Sequence, residues 1–423
     1  MIFLLRIKRS EKCEKQEIKL EIQFESVKYG YNFFLQPLSF VSILRKNFEK
    51  DVIQMEQIPF RYDIVGSFLR PERLKQAREQ VQSGQLSREQ LKQIEDEEIR
   101  QLIRQQKDVG LKAVTDGEFR RRWWHLDFLA GLEGTTVYDF TSDAFGVSVP
   151  MQSCYLSGPL SFPAEHPFLE HFRFTQEAAG EDLVVKQTIP GPGMALISPA
   201  LLSQEYRQHP VYGSQEALFQ DIAQTYQTAI QAFCDAGCRY LQLDDTSWGT
   251  LFNQQHRQRL AALGHDPDKL IQDLGDLTEQ ALAKRPRDMA ITMHFCKGNF
   301  MSRAAYTGTY DRIAKRLLAI ENFDGFFLEY DDQRSGSFAP LANAKNQRIV
   351  LGLITTKNGT LENPEVIKAR ITEAAKVVPL DQLCLSPQCG FSSTQEGNTL
   401  SEEAQWEKLR LLRSIAEEVW QDA

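Results

Sequence analysis

Arg239-Tyr240-Leu241-Gln242-Leu243, the amphipathic stretch from Pro267 to Ala283, and Ala290-Ile291-Thr292-Met293-His294 follow one another along the chain. A β-branched run, a long helical link and a second such run imply parallel strands joined by a crossover helix. The unit repeats in both directions. Further runs lie at Asp63 to Gly66, Lys112 to Thr115, Leu183 to Ile189, Gly325 to Glu329, Arg348 to Leu353 and Leu383 to Leu385. Further helical candidates lie at Arg88 to Lys107, Gln215 to Asp235, Tyr310 to Ile320, Pro364 to Val377 and Glu402 to Trp420. Eight strands with mostly helical links predict an α/β chain folded as a (β/α)8 TIM barrel. The competing architecture is a doubly wound open sheet. Val65-Gly66-Ser67-Phe68 after the first run lacks the second and third glycines of a dinucleotide fingerprint, which weighs against it.

Two regions depart from the repeat. Residues 126–182 are long, aromatic and rich in Gly and Pro, so they read as an inserted hairpin or lid after the second strand. Residues 1–54 carry 10 Lys/Arg against 7 Asp/Glu, while the rest of the chain carries 39 against 50. The composition shifts near Met55. Residues 1–54 are therefore expected to be a poorly ordered extension or a start codon placed too early, and 55–423 a single barrel domain.

Composition narrows the function. Of the 423 residues, 42% are hydrophobic and 25% charged, the usage of a globular protein with ample core, and a net charge of −8 argues against a nucleic-acid binder. Seven cysteines form no even, tightly spaced disulfide framework, and Met1 to Leu5 is too short for a signal peptide or a membrane span. A cytoplasmic protein acting on small molecules, with neither nucleic-acid nor membrane partners, is expected.

In a barrel the reactive residues sit just past the carboxyl ends of the strands. Here those positions hold Ser67, Asp116 and Glu118, Asp244 and Asp245, His294 and Cys296, Glu329, Lys357, and Cys389. Alternate residues of a strand point the same way, so His294-Phe295-Cys296 can present two ligands to one ion. Glu329 and Cys389 add a carboxylate and a second thiolate, which makes a tetrahedral zinc set. The plainer alternative is a buried histidine and two unrelated core cysteines.

From about Phe60 onward the chain resembles the catalytic barrel of cobalamin-independent methionine synthase, particularly its short single-barrel relatives. The matching stretches are Ile64-Val65-Gly66-Ser67-Phe68, Asp116-Gly117-Glu118, Gln242-Leu243-Asp244, His294-Phe295-Cys296, Leu328-Glu329 and Leu385-Ser386-Pro387-Gln388-Cys389-Gly390. The resemblance implies zinc bound by His294, Cys296, Glu329 and Cys389, and homocysteine held by Ser67, Glu118 and Asp244. An ammonium suits the two carboxylates, and an α-carboxylate suits hydroxyl and backbone N–H donors near Ser67. The implied reaction carries a methyl group to the homocysteine thiol, forming methionine, with 5-methyltetrahydrofolate as the family's usual donor.

Two departures bear on that donor. The family's acid histidine after the seventh strand is replaced by Lys357, which becomes the candidate proton donor only if its pKa is pulled down. The run Gly191-Pro192-Gly193-Met194-Ala195-Leu196-Ile197-Ser198 offers no tryptophan for a pterin, leaving Trp248 or Trp123-Trp124 as substitutes. Arg120-Arg121-Arg122 reads as a solvated face. The alternatives are a corrinoid-protein donor, another thiol such as coenzyme M, a porphyrinogen-decarboxylase-like enzyme, and a non-catalytic thiol-binding module.

Overall fold

A computed structural model describes residues 57–142 and 149–423. The extension assigned to residues 1–54 lies outside the described residues. The described strands in chain order are β1 (Ala113–Val114), β2 (Glu133–Ser142), β3 (Val149–Ser161), β4 (Val184–Pro190), β5 (Tyr240–Asp244), β6 (Ala290–Phe295), β7 (Gly325–Glu329), β8 (Arg348–Ile354) and β9 (Leu383–Pro387). Seven of them form one sheet in the order β1-β4-β5-β6-β7-β8-β9, and every neighbouring pair is parallel. β2 and β3 make a separate antiparallel hairpin, so the insertion read from residues 126–182 does contain one.

All residues of β5, β6, β7 and β9 are buried, as helices on the outer face and packed side chains on the inner face require. The outer helices start where the sequence supplies caps. Ser214 accepts from the Ala217 amide ahead of Gln215–Asp235, and Asp266 caps Pro267–Leu282, which opens on proline. Ser87 and Gln90 form a reciprocal capping box at Arg88–Asp108, and Ser401 caps Glu402–Val419. No helix among the described residues is long and apolar enough to cross a membrane.

Two expectations need correcting. The stretch from Tyr310 to Ile320 is not one helix but a 3-10 turn, Tyr310–Arg312, followed by the short helix Ala314–Leu317. Asp63 to Gly66 is not a strand of the sheet. Asp63 Oδ1 accepts the Ile64 amide at 2.7 Å, which diverts a donor that a ladder would need. The segment instead makes one parallel bridge to β9, with the Asp63 amide donating to Leu385 and the Leu385 amide to Arg61. On its other side the Phe68 amide donates to the Gly117 carbonyl, just past β1.

Register places the functional residues. Pro190, Asp244 and His294 stand side by side at the carboxyl ends of β4, β5 and β6. Lys186, Tyr240 and Ala290 stand side by side four residues earlier, at the opposite end.

Candidate metal centre and substrate pocket

His294 and Cys296 come from the last residues of β6 and the position after it, as the alternation of a strand dictates. Cys389 arrives from the loop after β9. The approach of that loop depends on Gly390, because a Cβ there would lie 1.9 Å from Ser67 Oγ. The ligand atoms of His294, Cys296 and Cys389 all lie within 4.8 Å of one another, and all three residues are buried. The two sulfurs are 3.6 Å apart. At that distance they compete for one proton, so the Cys389 thiol is driven well down by its hydrogen bond with Cys296, and the Cys296 thiol well up. Neither ring nitrogen of His294 has a hydrogen-bond partner. Buried polar atoms without partners call for an explanation, and two soft thiols beside an orphaned imidazole suit zinc.

The pocket above this group is lined by Ser67, Glu118 and Asp244 together with His294, Cys296 and Cys389. Glu118 sits at φ 61, a left-handed conformation that costs a residue with a Cβ about 1 kcal/mol or more. The turn is held by Asp116 Oδ1, which accepts the Glu118 amide at 2.8 Å, and by Thr115 Oγ1, which accepts the Gly117 amide at 3.1 Å. Glu118 Oε1 accepts from Thr188 Oγ1 at 3.0 Å and from Arg121 at 3.2 Å, whereas the buried Oε2 has no partner. Burial raises the Glu118 pKa, with Arg121 pulling against it. Burial also pushes Asp244 up to about 7, while Gln242 Nε2 donates to its Oδ1 at 2.7 Å. The neighbouring Asp245 is occupied by backbone, accepting the amides of Gly193 and Ser247 at 2.9 Å each.

The other two sequence candidates, Glu329 and Lys357, are not in the group whose donor atoms all lie within 4.8 Å of one another. Glu329 at the end of β7 is fully buried, with Oε2 accepting the Lys297 amide at 2.9 Å and Oε1 accepting from Lys357 at 3.2 Å and Arg334 at 3.3 Å. Lys357 also donates to Asp331 Oδ2 at 2.8 Å, and it is not among the residues lining the pocket. Burial alone lowers the Lys357 pKa, but Glu329 and Asp331 outweigh it and the net shift is upward.

The aromatic residues divide. Trp123 and Trp124 line the pocket, Trp123 stacking on Phe300 at 6.1 Å and 6°, and Met151 of β3 joins them. Trp248 is wholly buried and is not among the residues lining the pocket. The Trp124 amide donates to Ser393, which stitches this aromatic loop to the loop carrying Cys389. Nothing in the sequence pattern singles out His125, which also lines the pocket and is pushed down to about 4 by burial, so it is a neutral imidazole. Arg121 was read as part of a solvated face but is only 2% exposed and backs Glu118. Its spacing, three residues past Glu118, is the signal that reveals it. Arg120 is likewise paired, with Asp96 at 2.6 Å.

With this geometry in place, the model of the cobalamin-independent synthase catalytic domain matches residues 62–418. The chain belongs to the cobalamin-independent methionine synthase family. The uncharacterized protein YxjH of Bacillus subtilis is 49% identical over 374 residues, which span 87% of this chain and 96% of that one. A crystal structure of a Listeria monocytogenes candidate for vitamin-B12-independent methionine synthase is 40% identical with a TM-score of 0.67, covering 86% of this chain and 98% of that one. A B12-independent methionine synthase of Shewanella sp. W3-18-1, solved with selenomethionine, is 19% identical with a TM-score of 0.65, covering 85% and 97%; at that identity it attests the fold. Membership in this methyltransferase-like family sets aside the porphyrinogen-decarboxylase alternative.

Proposed function

We propose that this chain transfers a methyl group to the thiol of homocysteine, forming methionine, with zinc held by His294, Cys296 and Cys389. The observation that carries the reading is the position of that buried three-donor group in the same pocket as Glu118 and Asp244. On this reading the segment around residues 61–68 closes the seven-stranded sheet into an eight-membered barrel, the hairpin β2–β3 covers the pocket, and the protein works in the cytoplasm.

The residues divide the substrate between them. Glu118 Oε2 and the Asp244 carboxylate receive the ammonium, a pairing of opposite charges in a buried site. Ser67, whose Oγ accepts the Ser392 amide at 3.2 Å, stands where the α-carboxylate needs donors. Arg121 keeps Glu118 aimed by occupying its other oxygen. Bound zinc supplies thiol acidity, since a coordinated thiol is deprotonated and only the thiolate is a good nucleophile. The substrate sulfur then attacks the methyl carbon in line; the C–S bond forms and the electron pair of the broken bond leaves with the donor. Trp123, Trp124 and Met151 keep water from that path.

The family's usual donor, 5-methyltetrahydrofolate, has a nitrogen leaving group that must be protonated as it departs. Lys357 is badly placed for that task, because it lies outside the pocket and two carboxylates hold its proton. This favours a donor whose leaving group departs without a proton, such as a methylated corrinoid protein. The same chemistry with another acceptor thiol, such as coenzyme M, is the second reading. The test is metal analysis of the purified protein coupled to methionine formation from homocysteine with methylcobalamin and with 5-methyltetrahydrofolate as parallel donors. About one zinc per chain and methionine from the corrinoid is the expected result. Zinc-free protein, or no methionine from either donor, contradicts the proposal.

A further inference from the structure

The loop that delivers Cys389 is held from behind by Thr356, a wholly buried residue two positions past the end of β8. The Thr356 amide donates to Gln388 Oε1 at 2.6 Å, and the Gln388 amide donates to the Ile354 carbonyl at 2.8 Å. The residue before Cys389 is thus tied twice to the end of β8. The residue after it is tied as well. The Gly390 carbonyl accepts from Thr356 Oγ1 at 3.1 Å and from Asn299 Nδ2 at 3.1 Å, and Asn299 lies three residues past Cys296. Thr356 Oγ1 carries one proton and has two acceptors in reach, the Gly390 carbonyl and Gln388 Oε1, the latter at 3.0 Å. Gln388 Oε1 already has the amide, and Asn398 Nδ2 at 3.3 Å fills the acceptor side of the hydroxyl, which leaves the proton for Gly390. On its other side Gly390 meets Ser67, where a Cβ would lie 1.9 Å from the Ser67 hydroxyl.

We propose that Thr356 is a positioning residue for the thiol pair: its amide and hydroxyl fix the residues on both sides of Cys389 and so set where Cys389 Sγ stands beside Cys296 Sγ and the His294 ring. The inference rests on the metal site proposed above and adds the residue that orients one of its thiolates. A strand sets the direction of His294 and its continuation that of Cys296, whereas Cys389 stands in a loop, two residues past the end of β9. Its direction has to be supplied by neighbours, and Thr356 reaches both flanking residues. Groups behind metal ligands hold them in orientation before the metal arrives, and their loss typically weakens metal binding by about 10–100-fold. A methyl in place of the hydroxyl strands no partner. Gln388 Oε1 keeps the Thr356 amide, the Gly390 carbonyl keeps Asn299, and Asn398 Nδ2 keeps the Thr356 carbonyl at 2.9 Å. The positioning role is therefore separable from folding.

Zinc affinity of the full chain, measured by competition with a chromophoric chelator, and the spectrum of the cobalt(II)-loaded protein test this. Thr356→Val should weaken zinc about tenfold, while Thr356→Ser, which keeps the hydroxyl, should stay within about threefold of wild type. Thr356→Val combined with Asn299→Ala takes both side-chain donors from the Gly390 carbonyl and should weaken zinc about 100-fold. The sulfur-to-cobalt charge-transfer band should weaken or shift in Thr356→Val and return in Thr356→Ser, a signature that a role in folding alone would not give. The thermal midpoint of the metal-free valine variant should stay within about 3 °C of wild type. Wild-type zinc affinity and cobalt spectrum in the double variant overturn the inference and leave the metal site standing. So does a serine variant as impaired as the valine one, or a collapse of the metal-free fold in Thr356→Val. Absence of zinc from wild type overturns both.

Discussion

The two ends of the same sheet treat buried polar groups in opposite ways. At the amino ends, Lys186 and Asp63 form an ion pair at 3.3 Å with both side chains wholly buried. Asp63 also accepts from Tyr240 Oη at 2.8 Å and from the Ile64 amide at 2.7 Å, and the Lys186 ammonium lies 3.9 Å from the centre of the Phe327 ring. Both oxygens of Asp63, the Tyr240 hydroxyl and the Lys186 ammonium have partners within the protein. At the carboxyl ends, both nitrogens of His294, Oε2 of Glu118, Oε1 of Gln242 and Oδ1 of Asn299 are buried without a partner. A fully satisfied buried network specifies one fold, whereas unsatisfied buried groups cost stability and wait for something to complete them. On the proposed function, the contrast separates residues that hold the sheet together from residues that would hold a ligand.

That contrast can be broken at either end. The largest expected effect is at the metal group, where Cys296→Ser should lower methyl transfer by about 1000-fold or more, while the thermal midpoint of the metal-free protein shifts by only about 2 °C. A collapse of the fold in that variant would mean that the thiols serve the core. At the opposite end, Lys186→Met strands a buried carboxylate and should cost about 3–5 kcal/mol of stability, read by denaturant unfolding, with zinc stoichiometry unchanged in the folded fraction.

Asp244→Asn should act on both quantities with opposite signs. Asp244 ionises at about 7 in the fold against an ordinary value of 3.8, chiefly because burial penalises the charge. Its burial therefore costs stability at full strength above pH 7, progressively less as pH falls, and nothing below about pH 4. The asparagine variant should be more stable than wild type by roughly 2–4 kcal/mol at pH 8 and show little gain at pH 4. Homocysteine affinity should fall about 10–100-fold in the same variant, because an ammonium loses an ionised partner. In wild type that affinity should weaken as pH drops below about 7, as Asp244 takes up a proton. The smallest effect is expected at Ser67→Ala, a rise in the homocysteine KM of about three- to tenfold from one neutral hydrogen bond.

The sequence made much of this legible, but unevenly. Seven of the eight marked runs contain strands of the sheet, because their apolar side chains are covered on both faces. Asp63 to Gly66 has a similar pattern, and what a pattern cannot show is that the Asp63 side chain claims the next amide. The grouping of His294, Cys296 and Cys389 was readable from strand alternation and from their positions past the strand ends. Glu329 and Lys357 were legible as residues at strand ends, but not as partners of each other. Their actual relation depends on Arg334, Asp331 and Asp332, a charge network assembled by a loop whose fold no local rule gives. Arg121 was hidden for a related reason, since three adjacent arginines look solvated until Glu118 turns back on them through a left-handed residue.

The central claim is that the buried His294, Cys296 and Cys389 group is a metal site completed by a substrate thiol. Titrating homocysteine into the cobalt(II)-loaded protein tests it most directly, through the sulfur-to-cobalt charge-transfer band. The account predicts that the band grows by about half, as three thiolates replace two, and that methionine leaves it unchanged. A band that does not respond to homocysteine would contradict the claim.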